Sequence, residues 1–455
     1  MSWVTDANAS LLTDLYELTM AASYHARRME RRACFDLFVR KLPKPRNFLV
    51  AAGLEQALDY LERLRFDDDA ISYLRSLDMF EADFLARLSE LTFTGEVCAV
   101  PEGEVVFAGE PILRVSGPLI EAQIVETFLL NCITFQTMVA SKAARVAIAC
   151  GDRSYVDFSP RRDHGADAAL KAARASYIAG ASATSNVLAG KEHGIPVSGT
   201  MAHSYVMAFE NEIEAFRAFA RDFPDRAVLL IDTFDVEEGA HRTAQVAAEL
   251  AGEGIRIRGV RIDSGELGPL AVSVRKILDE AGLQDVQIIL SGDLDEHRIK
   301  DLLDDGAPVD SFGVGTQLGT SADAPYLGGV YKLVAEDSEP KIKLSTGKVT
   351  LPGVKQVHRF LDGDVMDHDV IALEDEELGG GRPLLEEVMR DGRRTNPSEA
   401  LEVSRRRCAE AIGRLPERLR SLEPHPDRYP VDLSSGLKAL VERMRREGRH
   451  AHRER

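Results

Sequence analysis

Apolar positions recur along this chain with two different periods, and the changes of period divide it. At 10–25 they return every three and four residues, with Leu11, Leu15, Leu18 and Ala22 in one stripe, which predicts a capped helix. On that periodicity alone Tyr16 is core filling. Residues 33–40 alternate like a strand, an apolar run covers 48–54, and 55–90 carry short amphipathic helices. Over 92–117 short alternating segments are separated by Pro-Glu-Gly and Ala-Gly-Glu-Pro turns, which predicts a small antiparallel sheet. A mostly apolar helical region follows over 119–149, with a break expected near Asn131.

Between 154 and 319 the texture becomes regular. Apolar runs at 155–158, 195–197, 228–231, 260–262, 286–290 and 312–314 are strand candidates. Helical patterns at 166–179, 204–220, 237–251, 270–280 and 295–304 separate most of them. Such alternation predicts parallel strands joined by crossover helices. Polar residues stand just after the runs: Arg161 and Arg162, Thr200 and His203, Asp232 and Thr233, Asp263 and Ser264, Gly292 and Asp293, Gly315 and Thr316. In an α/β barrel the C-terminal strand ends converge on one mouth, where active sites lie. An open dinucleotide-binding sheet is the alternative, but no Gly-x-Gly-x-x-Gly follows a first strand here. The fold expected is α/β, an irregular TIM-like barrel with a second α+β domain.

After Gly328 the pattern is mixed again. Strands are expected at 330–334 and 341–344, a turn at 347–353, an acidic glycine-ended loop at 374–381, and helices at 397–422 and 432–447. The arginine-rich tail, 443–455, reads as a solvated, frayed terminus. The domains expected are an N-terminal α+β unit (1–150), the catalytic barrel (151–330), and a C-terminal segment (331–455) returning to the N-terminal unit and barrel edge.

Charge and cysteine usage narrow the class. The 455 residues hold 74 acidic against 56 basic side chains, a net −18, which argues against a general nucleic-acid binder. Five scattered cysteines show no paired metal spacing and read as buried thiols in a reducing compartment. Neither a secretion signal nor a bilayer-spanning run is found, so a cytoplasmic protein without a membrane partner is expected.

The segment at 196–205, PVSGTMAHSY, carries the sharpest chemistry. It reads as strand, Ser-Gly-Thr turn and helix, with Thr200 as the cap. His203 then falls in the first helical turn, where the dipole keeps an imidazole neutral and its lone pair available to an electrophile such as phosphorus. A simple capping contact is the plainer alternative. The run SFGVGT at 311–316 ends a strand with small residues, so Gly313, Gly315 and Thr316 can wrap a phosphate, or merely form a tight turn. GVRIDSG at 259–265 puts Arg261 and Asp263 on alternating sides of one strand, able to hold a carboxylate and accept from sugar hydroxyls, or to pair with neighbours. Arg161 and Arg162 follow another strand and add positive charge. Together they suit a ligand with phosphates, a sugar and a small carboxylate.

Read with LLTDLYELTM at 11–20, RRDHGADAALKAARASYIAGASATSNVLAG at 161–190, GTMAHS at 199–204, GVRIDSGEL at 259–267 and FGVGTQLGTSADAPYLGGVYKLV at 312–334, the chain resembles the nicotinate phosphoribosyltransferase family. KLSTGKVTLPGVKQVHR at 343–359 and DRYPVDLS at 427–434 extend the resemblance over nearly the whole chain. It implies transfer of phosphoribosyl from 5-phosphoribosyl 1-diphosphate to nicotinate, giving nicotinate mononucleotide and diphosphate, driven by ATP with Mg2+ on the phosphates. By position, it implies that His203 is transiently phosphorylated and that Tyr16, Thr200 and Arg261 meet nicotinate, beside Arg161 and Arg162. Thr316 would meet phosphate together with Gly292, Gly313 and Gly315, and Asp263 or Asp293 would stabilise the ribose side. Tyr16 would come from a partner subunit, implying a homodimer. Ser185 stands where nicotinamide-using relatives carry an acid, which suits a carboxylate ligand. Quinolinate-using relatives are shorter and lack the GTMAH segment. A barrel that binds nucleotides without turnover is the remaining alternative.

Overall fold

The changes of texture read in the sequence separate an antiparallel sheet from a parallel one in the computed structural model, which describes residues 4–344 and 350–451. The chain divides into two units, Met1–Met138 with Tyr326–Arg455, and Val139–Pro325.

The first unit is built on a seven-stranded sheet. Its central strand, Arg32–Val39, pairs antiparallel with Pro111–Pro118 on one side and Gly329–Glu336 on the other. Segments from both ends of the chain therefore share one sheet. Its inward face carries Phe35, Leu37, Leu113, Val115 and Tyr331, packed with Leu58, Leu61 and Phe84 of the neighbouring helices. A second sheet joins the Lys355–Asp362 and Val365–Leu373 hairpin to Val431–Leu433. Within this hairpin, fully buried Arg359 pairs with Asp369 on the facing strand at 2.6 Å, and it reaches out to Glu104 at 2.8 Å.

Several boundaries move. The 119–149 region forms the helices Leu119–Ile124 and Glu126–Cys150, interrupted at Val125 rather than near Asn131. The expected strand at 341–344 is irregular, and the short strand lies just before it at Glu339–Pro340. The 397–422 helix is two, Leu401–Gly413 and Glu417–Arg420. The turn expected at 347–353 lies partly outside the described residues, as does the tail. Cys34, Cys132, Cys150 and Cys408 are buried outside any disulfide, and Cys98 is half-buried.

The second unit holds the alternating region. Its sheet is parallel throughout, in the order Ala183–Thr184, Ser154–Asp157, Ser311–Val314, Gln287–Leu290, Gly259–Ile262, Val228–Leu230. Of the strands in this sheet, the last in sequence, Ser311–Val314, pairs with the first, Ser154–Asp157, which is the circular order of a barrel. The ring is incomplete: the ladder ends at Val228–Leu230 on one side and, on the other, at a single parallel bridge between Thr184 and Val197. Thus 195–197 contributes one bridge rather than a strand, and the segment carrying Thr200 and His203 lies along the open seam. Among the described residues no helix is long and apolar enough to cross a membrane.

Candidate functional site at the strand ends

The helix expected over 204–220 is broken in two, which decides where His203 points. The first piece, His203–Met207, has Ala202 as its N-cap and no side-chain cap. The second, Glu212–Asp222, starts at Asn211, whose side chain accepts from the Glu214 N–H at 3.0 Å. Asn capping of this kind is a strong start signal, and it separates the apolar residues that had read as one stripe. Thr200 is therefore not the cap. Its hydroxyl instead accepts from Arg261 Nη1 at 2.6 Å.

Arg261 sits in the Gly259–Ile262 strand, half-buried, with its guanidinium carbon 6.0 Å from the centre of the Phe158 ring. Its Nε is buried without a hydrogen-bond partner. Burial lowers its pKa, Asp263 and Asp232 oppose that shift, and the Arg161 charge adds to it. A guanidinium remains charged under such a shift, so the side chain offers a desolvated donor at the rim. Arg261 and Asp263, two residues apart, lie on one side of the chain rather than on alternating sides.

His203 crosses the seam. Its Nδ1 lies 3.2 Å from the Thr233 hydroxyl, and its Nε2 stands 3.9 Å from Asp263 Oδ2. The imidazole side chain is 40% exposed, so the rim face of the ring is open to a ligand. Asp263 is anchored by two contacts, and its neighbour Ser264 adds a third to Asp232. Its Oδ1 accepts from the Ser291 hydroxyl at 2.5 Å, its N–H donates to Asp232 Oδ2 at 3.0 Å, and Ser264 donates to the same oxygen at 2.7 Å.

The small residues have two distinct reasons. Gly313 lies inside the Ser311–Val314 strand, where a Cβ would stand 2.5 Å from the Phe158 ring, so packing rather than a phosphate turn accounts for it. Gly315 and Thr316 do form the turn after that strand, with Thr316 opening the short Thr316–Gly319 helix. Gly292 has a positive φ of 97°, and a Cβ there would meet the Asp263 carbonyl oxygen at 1.9 Å. Exposed Asp293 follows at φ 48°, a conformation that Asp tolerates better than most residues.

Arg161 and Arg162 are exposed on the loop after Phe158. The next residue, Asp163, accepts from Ser159 at 3.1 Å, and its other oxygen is buried without a partner against Gly319. Burial, with Asp157 adding its charge, pushes the Asp163 carboxyl up to about 6. Tyr16, in the first unit, is 45% exposed and so is not the core residue its periodicity predicts. Its neighbour Glu17 is fully buried, accepts from Thr13 at 2.6 Å and Thr127 at 2.5 Å, and is pushed up to about 7 mainly by burial.

Sequence reasoning left Thr233, Asp232, Ser291 and Phe158 without roles. Asp232 and Thr233 had a signal, since they directly follow an apolar run. Nothing in the sequence marks Ser291 as the partner of Asp263, 28 positions away.

An incomplete α/β barrel whose strand ends carry a half-buried guanidinium, an open imidazole and a small-residue turn defines a barrel protein shaped for an anionic ligand. Family models match residues 11–134 (nicotinate phosphoribosyltransferase N-terminal domain), 154–336 (nicotinate phosphoribosyltransferase family) and 380–441 (nicotinate phosphoribosyltransferase C-terminal domain). The chain is 47% identical over 437 residues to nicotinate phosphoribosyltransferase pncB2 of Mycobacterium tuberculosis, covering 96% of this chain and 94% of that one. It is 46% identical over 389 residues to the Bacillus subtilis nicotinate phosphoribosyltransferase, covering 83% and 79%. The crystal structure of human nicotinic acid phosphoribosyltransferase superposes with a TM-score of 0.86 at 32% identity, covering 94% of this chain and 99% of that one. The chain belongs to the nicotinate phosphoribosyltransferase family.

Proposed function

We propose that this protein transfers phosphoribosyl from 5-phosphoribosyl 1-diphosphate to nicotinate, and that ATP drives the reaction through a phosphorylated His203. The carrying observation is the Arg261 guanidinium, tethered to Thr200 on one side and left with a buried, unpartnered Nε on the other. A planar fork of this kind suits a small carboxylate and is wasted on a neutral amide. Ser185, rather than an acid, stands in the 183–186 segment and adds no charge that would repel that carboxylate.

In the transfer, the pyridine nitrogen supplies an electron pair to ribose C1 while the bond from C1 to the diphosphate oxygen breaks and its pair leaves with diphosphate. The developing positive charge on the sugar favours a carboxylate close by, which supports Asp263 in that role, with Asp293 as the exposed alternative at the next strand end. Gly292, Gly315 and Thr316 border the phosphate side, and Arg161 and Arg162 add positive charge.

Among the described residues no three His, Cys, Asp or Glu side chains converge into a metal site. Mg2+ carried by the substrate phosphates would supply charge neutralisation for the leaving diphosphate. His203 receives phosphorus from ATP on a ring nitrogen, ADP leaves, and the added charge beside Asp263 shifts substrate affinity until hydrolysis restores the imidazole. With Nδ1 against Thr233, Nε2 is the ring nitrogen turned toward Asp263 and the rim. Exposed Tyr16 is assigned to the nicotinate pocket of a partner subunit in a homodimer.

Nicotinate-dependent diphosphate release, measured with and without ATP, tests the reading. Turnover with nicotinate, slower or absent with nicotinamide and accelerated by ATP, is expected. Absence of nicotinate-dependent release would overturn it.

A further inference from the structure

Asp263 reaches the rim with one carboxylate oxygen already committed. Oδ1 accepts the Ser291 hydroxyl at 2.5 Å, and Ser291 itself is 2% exposed, so this contact is shielded from water. The other oxygen, Oδ2, is the one that faces His203 Nε2, at 3.9 Å, just beyond hydrogen-bond reach. The backbone on both sides of Ser291 reinforces the hold. The Ser291 N–H donates to the Ile262 carbonyl at 2.9 Å, and Gly292 packs so closely on the Asp263 carbonyl that a Cβ there would lie 1.9 Å away. A hydroxyl that donates to one carboxylate oxygen fixes the torsion of the whole group, because the two oxygens move together.

We infer that Ser291 is a positioning residue for the phosphoribosyl transfer proposed above, holding the Asp263 carboxylate off His203 and aimed at the substrate. Without the hydroxyl, Oδ1 has lost its buried donor and the carboxylate turns to close the gap to the imidazole. Asp263 would then pair with His203 in the resting protein instead of meeting the sugar, and the imidazole would be engaged when ATP arrives. Ser291 touches no substrate and acts only through Asp263. The inference rests on the assignment of Asp263 to the reaction centre.

The experiment is a double-mutant cycle of Ser291→Ala and Asp263→Ala, read in single-turnover rate and in KM for nicotinate, with a crystal structure of the Ser291→Ala protein. Ser291→Ala is expected to slow turnover about 10- to 100-fold, the scale of a lost hydrogen bond to a charged group, with KM for nicotinate within about threefold. In the Asp263→Ala background, removing the hydroxyl should change the rate by less than about twofold, since coupled residues are not additive. The crystal structure should show Asp263 rotated, with an oxygen within about 3.2 Å of His203 Nε2. Multiplicative rate effects, or an Asp263 carboxylate unmoved in Ser291→Ala, would overturn the inference. If the wild-type protein turns over no nicotinate, the proposed function fails, whereas the carboxylate orientation still decides whether Ser291 holds it.

Discussion

Arg261 donates to the Thr200 hydroxyl at 2.6 Å across the open seam of the barrel, yet its Nε lies buried with no acceptor. An unpaired buried donor is costly, and a ligand carboxylate arriving at that edge of the fork removes the cost. Arg261→Lys keeps the charge but loses the fork. KM for nicotinate should rise about 10- to 100-fold, as for a lost bidentate contact, while Thr200→Ala, which only frees the guanidinium, should raise it less. Steady-state kinetics across nicotinate concentration checks both. An Arg261→Lys enzyme with unchanged KM would exclude the carboxylate role.

His203 is the nucleophile proposed above for ATP. In His203→Ala, ATP should no longer accelerate diphosphate release, and labelling with γ-phosphoryl-tagged ATP should leave no acid-labile phosphate on the protein. Retained acceleration would assign the coupling to another group.

Thr233 is the contact that holds the His203 ring by Nδ1. Thr233→Val keeps the shape and removes the hydroxyl, and the expected loss in ATP acceleration is about tenfold, a single hydrogen bond's worth. Thr233→Ser should restore most of it, which initial rates with and without ATP will show.

Glu17 links pH to stability in the first unit. Its folded pKa is raised from 4.5 to about 7 because the carboxyl is fully buried. The fold thus favours the protonated form. That contribution is complete below about pH 4.5 and is lost as pH rises through 7, by about 3 kcal/mol at roughly 1.4 kcal/mol per unit. Glu17→Gln should therefore unfold at higher denaturant than wild type at pH 8 and show little or no gain at pH 4.5. Equal shifts at both pH values would rule out the titration.

Gly319 leaves room for the Asp163 loop. A Cβ at 319 would stand 1.8 Å from Asp163 Oδ1 and 2.5 Å from Ser159 Cβ. Gly319→Ala should cost about 1–3 kcal/mol in urea unfolding, the range for overpacking. Asp163→Ala should recover only part of it, since the Ser159 clash remains.

Much of the barrel was legible. The strands at 154–157, 228–230, 259–262, 287–290 and 311–314 fall where the apolar runs predicted them, because strands covered on both faces are built mostly of apolar residues. The two-residue strand Ala183–Thr184 was not found, being too short to show a period. Tyr16 was misplaced for a different reason: an aromatic beside a helical stripe satisfies the core pattern whether or not neighbours cover it. The Lys355–Asp362 and Val365–Leu373 hairpin was missed as well, since polar His, Asp and Arg side chains interrupt its alternation and one of them, Arg359, is buried by ion pairing.

What the amino-acid order determined by itself is local: helix and strand periods, the polar groups that follow each strand, and the motifs that identify the family. Only the tertiary structure decided that the barrel has a seam, that Thr200 binds Arg261 instead of capping a helix, and that Ser291 holds Asp263. Those contacts join residues 61 and 28 positions apart. No local propensity encodes such pairs, because each depends on which strands lie side by side after the sheet has curled.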